Sequence, residues 1–299
     1  MPKTILISGA SSGFGAMTAR ALADAGHTTY ASMRDIDGHS KEAAEDAAKY
    51  AREHDVDLRT VEMDVSDQLS VDSSVAEVLG EAGRVDVVVH NAGHMVLGPI
   101  EAFTPDQLAD IYDTNVISTQ RLNRALLPHF RQQRDGLLVW VGSSSTRGGT
   151  PPYLGPYFAA KSGEDALAVT MAAEVSRFGI ETTIIVPGSF TTGTNHFAHA
   201  GHPEDEDIAE AYDELYPNLM DDVAKRLADL APDADPSEVA RQIVRVVDLP
   251  KGQRPFRVHI DPANDGAEEV SAVADPVRER FYQRIGFEDL LHPATRAEP

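Results

Sequence analysis

Thr4-Ile5-Leu6-Ile7 followed by Ser8-Gly9-Ala10-Ser11-Ser12-Gly13-Phe14-Gly15 is the stretch that decides the fold. The first four residues read as a buried strand, and Phe14 to Ala25 reads as a helix. The glycines therefore fall where a first strand ends and a first helix begins. Glycine lets the chain turn tightly and lets backbone N–H groups come close to an anion. The positive end of the helix dipole then suits a pyrophosphate. A glycine cluster alone also reads as a plain strand–helix turn, but its place in a βαβ unit favours dinucleotide binding.

Outward from this turn, short apolar runs alternate with longer helical stretches. Thr28 to Ser32, Leu58 to Met63, Val85 to Val89, Leu137 to Val141 and Thr182 to Val186 read as strands, with Phe256 to Ile260 as a last edge strand. Helical patterns cover Glu42–Arg52, Gln68–Leu79, Asp106–Leu127, Gly163–Phe178 and Ser237–Val247. Strands buried on both faces and alternating with helices predict an α/β fold, a single doubly wound Rossmann-type parallel sheet with helices on both faces. Residues 1–299 are expected to form one domain. An acidic helical insertion spans about 191–231 and a C-terminal extension about 261–299, the latter with a short helix over Val277–Ile285. Covering the sheet and binding substrate are equal readings of these two additions.

The 48 Asp and Glu against 26 Lys and Arg give a net charge of −22. That balance disfavours nucleic acid and anionic membranes as partners, since both are held by clustered Lys and Arg. Cys is absent, which removes disulfides, thiolate catalysis and Cys-ligated metal and fits a reducing cytosol. No apolar run reaches the roughly 20 residues of a membrane-spanning helix. Met1-Pro2-Lys3 leads directly into the strand without a signal-like core, so the expectation is a soluble, cytoplasmic protein.

Two further places bear on ligand and chemistry. Met33-Arg34-Asp35 follows the second strand, where a carboxylate selects ribose hydroxyls and an arginine a 2′-phosphate. Arg34 makes NADP(H) the preferred cofactor, leaving NAD(H) open; Asp35 either pairs with Arg34 or points to solvent. Tyr157-Phe158-Ala159-Ala160-Lys161 sets Tyr and Lys four apart, on one face of a helix. A cation beside a phenol lowers its pKa from about 10 toward the working range, so the phenol can exchange protons with an alcohol or carbonyl oxygen. Gly142-Ser143-Ser144-Ser145 and His90-Asn91-Ala92-Gly93 each close a strand, and Asn115 sits in the helical stretch after the second.

In these motifs the sequence resembles the short-chain dehydrogenases/reductases, core branch, over roughly residues 3 to 190 and the helix near Glu238–Val247. Ser8-Gly9-Ala10-Ser11-Ser12-Gly13-Phe14-Gly15 is similar to the family's TGxxxGxG, and His90-Asn91-Ala92-Gly93 to its NNAG. Tyr157 and Lys161 match YxxxK, and Pro187-Gly188, with Thr192 beyond it, matches the PG motif. The family's serine lies thirteen before its tyrosine, which selects Ser144 over its neighbours. The resemblance implies that Tyr157 is the acid/base, and that Lys161 tunes it and holds the nicotinamide ribose. Ser144 would bond the substrate oxygen, and Asn115 would position a water. Gly9, Ser11, Ser12, Gly13, Phe14, Gly15, Arg34, Asp64, Val65, Asn91, Ala92, Gly93, Tyr157, Lys161, Pro187, Gly188 and Thr192 would bind the cofactor. Ser8 in place of Thr keeps the hydroxyl, whereas His90 in place of Asn bears on the hydrogen bonding of its loop.

The resulting expectation is an oxidoreductase moving hydride between NADP(H) and a secondary alcohol/ketone or an aldehyde. Phe190, Phe197, Tyr212, Leu215, Tyr216, Met95 and Leu97 would line a pocket for a bulky apolar small molecule. No metal is expected, although His196, His199 and His202 carry a weaker metal reading. The resemblance implies a homodimer or homotetramer through the helices near Asp106–Leu127 and Gly163–Phe178. One alternative is an NAD-dependent epimerase or dehydratase, which the Gly9-xxx-Gly13-x-Gly15 spacing disfavours. The other is a non-enzymatic dinucleotide sensor, which has no need of the Ser144, Tyr157, Lys161 and Asn115 set.

Overall fold

A computed structural model describes residues 1–293 of the chain apart from 192, 195 and 198. Seven parallel strands form one sheet in the order β3-β2-β1-β4-β5-β6-β7: β1 (Thr4–Ile7), β2 (Thr28–Met33), β3 (Leu58–Glu62), β4 (Val87–His90), β5 (Gly136–Val141), β6 (Ile180–Pro187) and β7 (Arg257–Ile260). The order reverses between β1 and β4, which pair in the register Ile5 to Val87 and Ile7 to Val89. In open α/β sheets ligands bind beyond the strand ends at such a reversal.

Side chains alternate across the pleat, so each strand feeds two cores. On one face Ile5, Ile7, Val87, Val89, Leu137 and Val139 pack against α1 (Gly13–Asp24), α2 (Lys41–His54) and α9 (Ser237–Asp248). On the other, Leu6, Val88, Leu138 and Trp140 pack against α3 (Gln68–Ala82), α5 (Ser118–Gln133) and α6 (Gly155–Ser176). Trp140 thus belongs to the core.

Three helical expectations are corrected. The stretch expected to be one helix over Asp106–Leu127 is α4 (Pro105–Tyr112), a π turn over Asp113–Ile117, and then α5. Helix α6 begins eight residues before the expected Gly163, which brings Tyr157 and Lys161 into its first two turns. The C-terminal helix α10 runs over Ala267–Arg284 and carries Pro276 in its interior. Proline removes a backbone hydrogen bond and reads as a helix break, but the carbonyl it frees belongs to Ala272, an exposed residue. The insertion folds as α7 (Glu206–Leu215) and α8 (Leu219–Leu230).

Burial separates two leucines of equal size. Leu138 in β5 is fully buried, while Leu215 at the end of α7 is 72% exposed. Leu138→Ala is expected to cost about 2–5 kcal/mol in chemical denaturation. Leu215→Ser is expected to stay within about 0.5 kcal/mol of the parent.

Candidate active site

The glycine turn is built around Asn91. Its Nδ2 donates to the carbonyls of Ser8 and Gly9, each at 2.9 Å. The Ser8 hydroxyl accepts from the N–H groups of Asn91 and Ala92, each at 3.0 Å, so it does the work expected of the family's threonine. Gly9 adopts φ +64°, where a Cβ would also press on Ala92. A Cβ on Gly15 would strike the Gly9 carbonyl and lie 2.5 Å from Asn91 Nδ2.

Helix α1 starts here with its N-terminus open. Ser12 at the N-cap makes no side-chain capping bond, and the first turn holds no acidic residue. The orphan N–H groups of a helix start need acceptors. They face a cavity of about 410 Å³ lined by Gly9, Ser11, Ser12, Gly13, Phe14, Arg34, Asp64, Val65, Asn91, Ala92 and Gly93, among others. A free helix N-terminus, glycines that keep the floor clear and an arginine in the lining fit the anionic groups of a dinucleotide. Asp35 neither pairs with Arg34 nor simply points outward. It turns back at φ +50° and accepts from the His39 N–H at 2.7 Å, capping its own loop.

A second cavity of about 390 Å³ meets the first along Phe14, Asn91, Gly93, Met95 and His196. Ser143, Ser144, Ser145, Tyr157 and Lys161 line one wall, with Pro187 and Gly188 at the end of β6. Leu154, Phe158, Phe190, Phe197, Leu227 and Leu230 make the rest largely apolar. Asp265, from the C-terminal extension, also reaches this wall. Of the expected lining residues, Met95, Phe190 and Phe197 are in place. Leu97 and Tyr212 form a second layer behind Met95 and Leu154. Leu215 and Tyr216 are exposed, at the last residue of α7 and the cap that follows it. Thr192 lies outside the described residues.

Helix α6 presents Tyr157 and Lys161 from successive turns. Lys161 is buried, and its Nζ donates to the Val141 carbonyl at 3.0 Å and to Glu164 at 2.7 Å. Burial pushes the Tyr157 phenol above its ordinary value and Glu164 pushes the same way, while the Lys161 ammonium and the Ser143 hydroxyl pull it down. Ser143 and Ser145 bond to one another through their hydroxyls at 2.8 Å. Asn115 sits fully buried in the π turn. Its Nδ2 donates to the carbonyls of His94 and Ile111, and its Oδ1 accepts from the His94 N–H at 3.1 Å, anchoring the segment after β4. Gly93 makes room here, since a Cβ on it would lie 2.8 Å from that Oδ1.

A family model described as short chain dehydrogenase matches residues 3–202. The chain belongs to the short-chain dehydrogenase family. It is 33% identical over 192 residues to the 3-ketodihydrosphingosine reductase of Bacteroides thetaiotaomicron, covering 64% of this chain and 65% of that one. It is also 33% identical over 191 residues to human 17-beta-hydroxysteroid dehydrogenase type 1, covering 63% of this chain and 57% of that one. The matches thus span less than two thirds of either relative. A short-chain dehydrogenase of Streptomyces avermitilis, solved by crystallography, shares the fold at TM-score 0.73 and 28% identity, with 96% of this chain and 97% of that chain covered.

Within this short-chain dehydrogenase, His90 stands clear of the glycine loop. Its Nε2 pairs with Asn123 Oδ1 at 2.9 Å, and its ring lies 4.4 Å from that of Trp140. His196 and His199 both border the polar cavity, but among the described residues they join no group of three or more side chains able to hold a metal. His202 Nδ1 lies 3.2 Å from the Leu97 carbonyl, while His196 stands between the two cavities beside Phe14. Sequence reading missed Glu164, although its place three residues after Lys161 puts both on one helical face.

Complete burial lowers the His90 pKa to about 4 from the usual 6.5. The unfolded chain therefore binds a proton that the folded chain refuses, and stability falls as pH drops from 6.5 toward 4. His90→Asn is expected to flatten that part of a denaturation-versus-pH curve, leaving stability at pH 8 less affected than the slope.

Proposed function

We propose that this chain is an NADP(H)-preferring oxidoreductase that interconverts a bulky, apolar secondary alcohol and its ketone, or an aldehyde. The observation that carries this reading is the junction of the two cavities. A polar cleft with an open helix N-terminus meets an apolar pocket where Ser144, Tyr157 and Lys161 stand together. Membership of a dehydrogenase family supports the same chemistry, and the ketodihydrosphingosine and hydroxysteroid names of two relatives support a large, apolar substrate.

In this reading the nicotinamide supplies or accepts hydride at the substrate carbon. The chain provides position, charge and a proton. Ser144 hydrogen-bonds the substrate oxygen, and Ser143 steadies the Tyr157 phenol. Tyr157 gives its proton to that oxygen during reduction and takes it back during oxidation. Lys161 favours the phenolate that remains, and Asn115 shapes the polar end of the pocket through the His94 segment. The apolar wall excludes water, which strengthens each of these interactions. Gly9, Ser11, Ser12, Gly13, Phe14, Gly15, Asn91, Ala92 and Gly93 hold the diphosphate side. Asp64 and Val65 would hold the adenine side, Arg34 the 2′-phosphate, and Pro187 and Gly188 the nicotinamide side.

Residues 1–299 act as one domain in this proposal, with α7 and α8 roofing the pocket. The exposed Tyr112, Ile117 and Leu167 on the outer faces of α4, the π turn and α6 support assembly with further copies of the chain. Among the described residues no helix is long and apolar enough to cross a membrane.

Tyr157→Phe is expected to reduce turnover by a factor of roughly 10² or more while leaving dinucleotide affinity, read by fluorescence titration, nearly unchanged. Full activity in that variant contradicts the assignment. Arg34→Ala is expected to raise the KM for NADPH by about tenfold or more, as loss of a charge-assisted contact implies, with little change for NADH. Equal effects on both remove the basis for the NADP(H) preference.

A further inference from the structure

Three acidic side chains are buried among the described residues: Glu164, Asp165 and Glu181. Glu181 pairs with Arg254, and Asp165 is gripped by Arg257, with two bonds of 2.5 and 3.1 Å, and by Arg147 at 3.4 Å. Both belong to structural ion pairs away from the Tyr157 phenol. Glu164 differs in its partner, because its carboxylate, only 2% exposed, pairs with Lys161 at 2.7 Å.

Stability does not account for this arrangement. A buried ion pair loses in desolvation about what it gains in attraction, and apolar packing often replaces it without cost. The pair sits instead where charge matters to chemistry. Lys161 is the cation beside Tyr157, and a carboxylate on its other side cancels part of its field.

We propose that Glu164 is a positioning residue, a buried counter-ion that fixes the Lys161 ammonium beside the Tyr157 phenol and offsets part of its charge there. This rests on the assignment of Tyr157 as the acid/base. The carboxylate and the Val141 carbonyl hold Nζ from two sides, so the ammonium keeps one orientation. Burial raises Tyr157, and the Glu164 charge adds to it. The Glu164 carboxylate in turn raises Lys161, so the lysine stays charged despite its burial.

Of the other charged groups around α6, Arg278 of α10 donates to the Val169 carbonyl at 3.4 Å and the acids are matched by arginines. Asp165, on the same helix, is matched by Arg147 and Arg257, and Asp275 of α10 pairs with both arginines. Asp113 in the π turn is paired with Arg121, and Asp289 in the C-terminal 3-10 turn with Arg177. His196, at the cavity junction, has a pKa lowered to about 4 by burial and by the nearby Lys161 and His94, so it is neutral at working pH. Glu164 is therefore the charge that most directly opposes Lys161 at the phenol.

The test is a phenolate absorbance titration, taken as the parent protein minus Tyr157→Phe so that one tyrosine is read. Replacing Glu164 by Gln removes the charge and keeps the shape. In that background the Tyr157 midpoint is expected to fall by about one pH unit or more. The alkaline limb of carbonyl reduction should move down with it. Glu164→Asp, which retains the carboxylate, should return the midpoint toward the parent value. An unchanged midpoint in Glu164→Gln overturns the inference, as does a Glu164→Asp shift as large as that of Gln. Should Glu164→Gln fail to fold, Glu164→Met fills the space without a polar head and is read in the same way. The titration needs no substrate. A shifted midpoint with no turnover on any carbonyl compound would count against the oxidoreductase reading and not against the counter-ion.

Discussion

Asn91 joins β1 and β4, the two strands between which the strand order reverses. Its amide closes on the carbonyls of Ser8 and Gly9, while the Ser8 hydroxyl returns to the backbone of Asn91 and Ala92. Four short bonds thereby lock the ends of β1 and β4 to one another. Both cavities open from this junction, and both are lined by Asn91 and Gly93. Each of these bonds restrains the floor shared by the two cavities, and a fixed floor is what a reaction between two bound molecules requires.

A chain with a charge of −22 holds a site that fits an anionic ligand because the relevant charges are local. The open N-terminus of α1 and the Arg34 side chain provide the positive ends of the cleft. Beyond the junction, the pocket trades charge for exclusion of water, and the few charged groups left there act at full strength. Glu164 and Lys161 face one another in that setting. Much of the surplus acidity lies on exposed positions such as Glu204, Glu210, Glu214 and Asp233. Net charge thus describes the solvated surface and not the site.

Much of this was legible from residue order. The central strands β1, β4 and β5 are readable because they are apolar on both faces, the edge strands β3 and β7 only from their short β-branched pattern, and the glycine turn, Asn91, Tyr157 and Lys161 fall where a strand or helix end places them. What escaped were effects that depend on neighbours. The π turn at Asp113–Ile117 leaves no periodicity signal, since one widened turn hardly disturbs the helical pattern. Pro276 reads as a break because sequence does not say whether the freed carbonyl belongs to an exposed residue. Leu215 and Tyr216 look like pocket residues until the end of α7 is seen to leave them exposed. Glu164 was visible in principle, one turn past the lysine, but an acid three residues from a lysine is ordinary on a solvated face. Only burial makes it unusual.

The central claim is that a hydride passes at the junction of the two cavities. The direct measurement is isotope transfer: NADPH carrying deuterium at the nicotinamide C4 is incubated with a panel of aryl, long-chain and polycyclic ketones, and the alcohol products are weighed by mass spectrometry. The account predicts product with one deuterium on the carbinol carbon, most abundantly from bulky apolar ketones. Dinucleotide binding without deuterated alcohol from any member of the panel would contradict it.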